Sequence, residues 1–269
     1  MYDLNQTPMI AQTIDEVLEK LEKIIDDSAR NRDRMAYFAS LYQKVTLKVK
    51  EGINNGQFGD GKSLEKLDTL FANRFLVAFQ QWKSGKPVTK SWEIAFKAAE
   101  KSSTLILQHL LLGINAHINL DLGIATVQAA DGQDLSELKK DYSSINLILS
   151  SLSYGVFHNL NTVSPFLSVL GFSGTKSNSM LVQFSIGNAR DGSWIFAEDL
   201  IKLSSDDRKN FISRRDNEIA ELATCLLKSQ GLLRIGIWII HLFENKNVTE
   251  VINILHTHQK LYKYELNLS

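Results

Sequence analysis

The chain has 269 residues, of which 44% are hydrophobic and 22% are charged, and its 30 basic side chains balance 30 acidic ones. This length is enough to bury a sizeable core, and the composition excludes a disordered or fibrous protein. A formal net charge of zero argues against a general electrostatic attraction to nucleic acid or to an anionic membrane. Only three prolines occur, so long helices can continue without interruption.

Cys225 is the single cysteine, which excludes an internal disulfide and a cysteine-cluster metal site. A chain of this kind suits a reducing cytoplasm. Cys225 lies in an apolar run, so we expect it to be a small core side chain. The first 12 residues contain no basic residue and no apolar stretch of signal-peptide length. The sequence therefore predicts a cytoplasmic protein.

Apolar residues recur at three- and four-residue steps along most of the chain, which is the period of an amphipathic helix. The first helix opens at Thr13, where Glu16 completes a capping box. The same period predicts helices over residues 33–54, 63–83, 91–101, 104–130, 134–163, 178–203, a helix capped at 204–207 that continues to 230, and helices over 232–244 and 249–258.

The segment 104–130 is apolar on most faces, which is typical of a central helix packed on all sides. A second apolar segment covers residues 222–243. Both segments contain charged or strongly polar residues, whose transfer into a bilayer costs free energy. We therefore predict two buried helices and no membrane insertion. The expected architecture is one all-α domain of about nine to ten helices over residues 13–258, with an N-terminal arm at 1–12 and a polar tail at 259–269.

Residues 56–63, with the sequence GQFGDGKS, fit the phosphate-binding P-loop pattern. That pattern binds phosphate where a glycine-rich loop leaves a buried parallel strand and enters a helix. Here an amphipathic helix precedes the loop, and no strands for a parallel sheet are predicted. We therefore predict a helix–helix turn in which Ser63 caps the next helix, and no nucleotide cofactor.

The central helix carries a row of polar residues. At about 100° per residue, His109, Gly113, His117 and Asp121 follow one face at four-residue steps. Burial of two imidazoles and a carboxylate costs free energy unless each has a partner or a metal. Gly113 removes a side chain where a ligand or another helix must approach closely. Asn115 and Asn119 point to a different face, where we expect them to tie helices together.

One interpretation of this row is a metal-dependent hydrolase of the phosphoester type. His117 and Asp121 would hold one divalent ion, either zinc, manganese or iron, since their spacing lets both side chains reach it. His109 would act as a second-site ligand or general base, and Arg74 would stabilise a phosphate-like or carboxylate-like group. Water on the metal would be the nucleophile acting on a small-molecule substrate.

The alternative is a non-enzymatic helical protein that binds a ligand or a partner, in which the polar row is structural. Asp121 would then orient His117, with arginines nearby, and Arg74 would form a salt bridge to Asp121 or Asp68. The sequence leaves both interpretations open. The candidate partners on other helices are Arg34, Tyr37, Asp68, Asn73, Arg74, His158 and Arg190 with Asp191.

The segments LQHLLLG at 107–113 and NAHINLDLG at 115–123 resemble the signature of an uncharacterised bacterial family known as a domain of unknown function. Residues 71–76, 184–186 and 189–191 are similar to further blocks of that family, and the resemblance covers roughly residues 30–240. The resemblance implies no activity.

The spacing HINLD at 117–121 also resembles the His-x-x-x-Asp metal ligands of the all-α zinc-dependent phospholipase C and P1-type nucleases. That resemblance implies metal-dependent hydrolysis. The chain departs from that group after the aspartate, because Gly123 and Ile124 follow where the group has a proline-containing histidine motif. A three-metal site therefore cannot be assigned from the sequence.

Overall fold

The computed structural model describes residues 9–165, 167, 176–228 and 231–257, and within them the fold is entirely helical. This confirms the predicted all-α class. The eleven α-helices found there are α1 (Ile14–Asn31), α2 (Ala36–Asn54), α3 (Gly61–Lys83), α4 (Lys90–Ala99), α5 (Ile106–Ala116), α6 (Leu122–Ala130), α7 (Ser136–Val163), α8 (Lys176–Leu200), α9 (Ser205–Leu227), α10 (Gly231–Phe243) and α11 (Val248–His256).

Side-chain caps fix several of the helix starts that the sequence indicates. Thr13 accepts a hydrogen bond from the Glu16 main chain at the start of α1, and Ser204 accepts one from Asp207 at the start of α9. The turn between α2 and α3 is a helix–helix connection, as predicted, but its cap is Asp60 and not Ser63. The Asp60 carboxylate accepts from the main chain of Lys62 and Ser63, so α3 begins two residues earlier than expected.

The predicted central helix is one continuous helical segment, Ile106–Ala130, but it contains a π-helical turn over His117–Asp121 that divides α5 from α6. The segment is long and apolar enough to cross a membrane by length and composition, and 78% of its most apolar window is buried within the fold. Helices α2, α3, α4, α8 and α9 pack around it. When α5 and α6 are counted as one helix, ten helices remain, within the predicted range.

Two glycines let neighbouring side chains approach this central segment. A Cβ atom at Gly113 would lie 2.4 Å from the Phe38 ring of α2, and one at Gly123 would lie 2.5 Å from the Phe196 ring of α8. Gly113 therefore makes room for another helix, which was one of the two possibilities that the sequence left open.

Two expectations about burial near the C-terminus are wrong. Cys225 is exposed, because it lies on the outer face of α9. The segment 222–243 is not one buried helix but the end of α9 followed by the whole of α10, and its apolar residues Trp238 and Leu242 are 60% and 55% exposed. Three parts of the chain lie outside the described residues: most of the predicted N-terminal arm, residues 171–175 between the helices predicted over 134–163 and 178–203, and the predicted tail at 259–269.

Candidate functional site

The π-helical turn His117–Asp121 places two of the predicted site residues in direct contact. The Nδ1 atom of His117 lies 3.2 Å from Oδ2 of Asp121, and both side chains are buried, at 2% and 1% exposure. Short π-helical segments within α-helices occur often at functional sites, because the wider turn changes which side chains share a face. The turn thus makes this part of the central helix a candidate functional site.

The carboxylate of Asp121 accepts hydrogen bonds from three side chains. Nε of Arg74 lies 3.1 Å from Oδ1, and Nε1 of Trp92 lies 2.8 Å from Oδ2, the oxygen that His117 also contacts. Although burial opposes ionisation, the Arg74 charge and these hydrogen bonds hold the pKa of Asp121 below its usual value. Asp121 is therefore an ionised and fully partnered carboxylate.

The hydrogen-bonding state of His117 follows from its contact with Asp121. An ionised carboxylate only accepts, so Nδ1 of His117 donates, and Nε2 of the neutral ring is left as an acceptor. Nε2 is buried and has no hydrogen-bond partner. Burial lowers the pKa of His117, with the Asp121 carboxylate opposing that effect. The ring stacks on Phe71 with centroids 3.6 Å apart and meets Tyr42 edge-on at 4.5 Å.

His109 lies apart from this network. Its ring is buried and packs edge-on against Tyr37 at a centroid distance of 5.6 Å. Neither ring nitrogen makes a hydrogen bond of normal geometry. Burial and, to a smaller extent, the positive charge of Arg34 lower the pKa of His109 to about 3, with the main chain of Thr104 opposing both effects. His109 is therefore a neutral core side chain at physiological pH.

Other polar residues that the sequence indicates as candidates make contacts with the central helix or elsewhere in the fold. Asn115 ties α5 to α9 through the Ile219 carbonyl, as expected, whereas the amide of Asn119 donates to Asn115 within the same helical segment. Arg74 forms the predicted salt bridge to Asp121. Asn73 does not reach the central helix, because its amide instead bonds both main-chain groups of Ala11.

An apolar cavity, which we call the slot, runs between α2, α5 and α7 and has a volume of about 160 Å³. It is not apparent in the sequence pattern. Each of the three helices contributes one apolar stripe. The stripes are Phe38, Leu41, Val45 and Val49 on α2, Leu107, Leu110, Leu111, Ile114 and, in the π turn, Ile118 after α5, and Ile145, Leu149, Leu152, Val156 and Leu160 on α7.

Helices α5 and α7 border the slot in opposite directions. Glu244 accepts hydrogen bonds from the Ile106 main chain at the start of α5 and from Ser164 just after α7. Leu107 and Leu160 therefore lie at the same end of the slot. The stripe on α7 extends over 16 residues, from Ile145 to Leu160, whose Cα positions are about 22 Å apart along the helix axis. The slot is therefore elongated.

The other end of the slot contains its polar side chains, and we call these five residues the polar end: Tyr42, Asp68, His117, Asn146 and Arg190. Each has one buried N or O atom that makes no hydrogen bond of normal geometry. Most buried polar atoms in folded proteins are partnered, so five exceptions lining one cavity need an explanation. Arg74, Asp121 and His109 do not line the slot.

The geometry around His117 and Asp121 does not favour a divalent metal ion bound by both side chains. Both oxygens of Asp121 accept hydrogen bonds, and the nitrogen of His117 nearest to Asp121 donates to it. Within the described ranges, no group of three or more His, Cys, Asp or Glu side chains could hold a metal ion. The residues at this position thus fit an oriented histidine better than a divalent-metal centre, and the metal stays a prediction from the sequence.

Fold and site together define an all-α protein in which a buried His–Asp–Arg–Trp network borders an apolar slot with a polar end. A family described as a family of unknown function (DUF5995) matches residues 14–229, and the chain belongs to that family. The resemblance to an uncharacterised family is thereby confirmed. No curated protein and no solved structure matches the chain, so the likeness to zinc-dependent phospholipases rests on the spacing of His117 and Asp121 alone.

Proposed function

We propose that the protein binds a small, largely apolar molecule in the slot. The observation that carries the proposal is the combination of apolar stripes on three helices with five buried polar atoms that lack hydrogen bonds at one end. Ligand sites in proteins typically have this composition, since apolar walls supply affinity and a few polar groups fix orientation.

The energetic cost of the slot supports a role beyond packing. Apolar side chains that line an unfilled slot lose packing contacts with neighbouring atoms, which lowers the stability of the fold. Each polar atom that is buried without a partner adds to that cost. A ligand that fills the slot and bonds its polar end offsets both terms, which favours ligand binding over an imperfect core.

Substitution of Ile114 by tryptophan tests this proposal, because Ile114 lines the slot and the larger side chain would fill part of it. The matched control is Ile94→Trp, at a half-buried position that packs on the core and lies outside the slot. Isothermal titration with decan-1-ol is expected to show binding to the native chain and to the control. Ile114→Trp is expected to bind at least about tenfold more weakly, equivalent to 1.4 kcal/mol.

Two results would overturn the proposal. One is that neither decan-1-ol nor decanoate, its carboxylate analogue, binds to the native chain. The other is equal affinity for the Ile114→Trp and Ile94→Trp variants, both shown to be folded by circular dichroism. A gain in melting temperature for Ile114→Trp in the absence of ligand would be a further expected result, because the added side chain fills an existing cavity.

A second candidate function, a metal-dependent phosphoester hydrolase, is favoured by one observation. Asp121 holds Nδ1 of His117, and the unpartnered Nε2 belongs to a ring that lines the slot. A carboxylate that fixes a histidine in one tautomer is a common arrangement both for general bases and for metal-binding histidines. His117 would then be the reacting group, while Arg74 and Asp121 would hold it in place.

Elemental analysis of protein purified without an affinity tag tests this second candidate. Stoichiometric zinc, manganese or iron, lost in a His117→Gln variant that remains folded, would support it. Hydrolysis of bis(4-nitrophenyl) phosphate by the native chain but not by that variant would be the matching activity. Metal-free protein that does not hydrolyse the diester after addition of these ions would exclude it.

A further inference from the structure

Arg190 is a buried cation at the polar end of the slot. Its side chain, on α8, is 3% exposed, and its guanidinium lies over the Tyr142 ring at 4.4 Å. Nη2 donates to the main-chain oxygen of Tyr142, whereas Nε makes no hydrogen bond. None of the ion pairs within 4.0 Å among the described residues includes Arg190. A buried charge without a counter-ion is strongly unfavourable.

Asp68 is the acidic side chain that shares the slot with Arg190, and it compensates that charge poorly. Its carboxyl group is 5% exposed, and Oδ2 makes no hydrogen bond. Burial raises the pKa of Asp68 to about 7, with the Arg190 charge opposing the effect and Glu65 adding to it. At neutral pH a large share of Asp68 is therefore uncharged, and a second acidic side chain that acts on Arg190, Asp191, is exposed to solvent and forms no ion pair with it.

The geometry points to a medium-chain alkyl carboxylate as the ligand, with its head group bound by Arg190 and its chain in the apolar part of the slot. This inference rests on the proposed function. Arg190 offers its unpartnered Nε–H, and the Tyr42 hydroxyl, which has Thr46 beside it but makes no hydrogen bond of normal geometry, offers a second buried donor. An anionic head group would supply the counter-ion that Arg190 lacks, through a charge-assisted hydrogen bond.

The shape of the slot supports a narrow chain as the apolar part. The apolar stripes extend for about 22 Å along α7, which suits an unbranched chain aligned with the helices. Half-buried side chains such as Leu41, Leu111 and Leu149 leave the slot partly open along its length.

Comparison of decanoate with decan-1-ol at pH 7, both below their aggregation limits, tests the head group at constant chain length. Decanoate is expected to bind the native chain at least about tenfold more tightly, since a hydrogen bond to a charged group exceeds the strength of a neutral one. Equal affinity for the two ligands would overturn the inference and leave the proposed function intact. Binding of neither ligand would overturn the proposed function and the inference together.

Two variants test the assignment to Arg190. Arg190→Met removes the charge at similar volume, and replacement of a buried charge by an apolar side chain is often neutral or stabilising. This variant is expected to bind decanoate no more tightly than decan-1-ol, while its affinity for decan-1-ol stays unchanged. Arg190→Lys keeps the charge and should retain part of the preference. An unchanged preference of Arg190→Met for decanoate over decan-1-ol would exclude Arg190 as the residue that binds the head group. If that variant does not fold, the comparison of the two ligands on the native chain still shows whether the head group is anionic.

Discussion

Two buried carboxyl groups in this protein, those of Asp121 and Asp68, have similar burial and pKa values shifted in opposite directions. Asp121 accepts hydrogen bonds from Arg74, Trp92 and His117, and its pKa lies below the usual value. The carboxyl group of Asp68 has an oxygen without a partner, and its pKa is raised to about 7. Burial acts on both groups in the same direction, so the surrounding donors determine which carboxyl is charged.

The hydrogen-bond network of Asp121 and the polar end of the slot, which contains Asp68, differ in whether the protein itself supplies every hydrogen-bond partner. The network around Asp121 is complete within the fold, since each oxygen has a donor. The polar end of the slot is incomplete, since each of its five residues has an atom without a partner. A complete network stabilises the fold, whereas an incomplete one that borders a cavity favours a ligand.

The largest expected effect is that of Asp121→Ala, which removes the acceptor for three buried or half-buried donors. Loss of one member of a buried charged group typically costs about 3 to 5 kcal/mol of unfolding free energy. Urea unfolding at pH 7 measures this loss, with the exposed Asp199→Ala as the control for removal of a carboxylate. A loss no larger than that of the control would show that the Asp121 network contributes little to stability.

Asp68→Asn tests the other carboxyl through the pH dependence of stability. Because the folded pKa of Asp68 is about 7 and the unfolded value about 3.8, the folded chain holds the extra proton between these values. The native chain therefore loses stability as the pH rises from about 4 to 7, by up to about 4 kcal/mol for three pKa units. Asparagine cannot ionise, so Asp68→Asn should match the native chain at pH 4 and exceed its unfolding free energy at pH 8.

The groups that act on Asp68 from the surrounding helices are Arg190 of α8, Glu65 of α3 and, across the slot, Tyr42 of α2. All three are retained in Asp68→Asn, so the difference between the two proteins isolates the ionisation of Asp68. Exposed Asp199→Asn controls for the loss of one charge. A stability difference that does not change with pH would contradict the raised pKa.

A smaller effect is expected from Trp92→Phe, which removes one donor to Asp121 and keeps an aromatic ring in the core. Loss of a hydrogen bond to a charged group costs about 2 kcal/mol. The control is Trp82→Phe, at a half-buried tryptophan that packs against Phe96 and donates to no carboxylate in the described structure. Equal losses in the two variants, measured by chemical unfolding, would indicate that ring volume and not the indole N–H of Trp92 matters.

The sequence predicted part of the site because its members share one helix or carry charge. His117 and Asp121 stand four residues apart in a segment that is otherwise apolar, and Arg74 needs an acid when it is partly buried. Trp92 could not be found in this way, because a tryptophan in an amphipathic helix is usually a core residue. Asp68 and Arg190 appeared among the candidate partners, but the sequence contains no signal that they share a cavity.

The sequence by itself determined the helices, since a period of three to four residues, polar caps such as Thr13 and Ser204, and the scarcity of proline all act locally along the chain. Only the tertiary structure decided which buried polar groups are partnered. The distance from Asp121 to Trp92, the π-helical turn and the slot between α2, α5 and α7 depend on how helices that are far apart in sequence pack together. Through-space contacts of this kind set the charge of Asp121 and Asp68, and no local pattern encodes them.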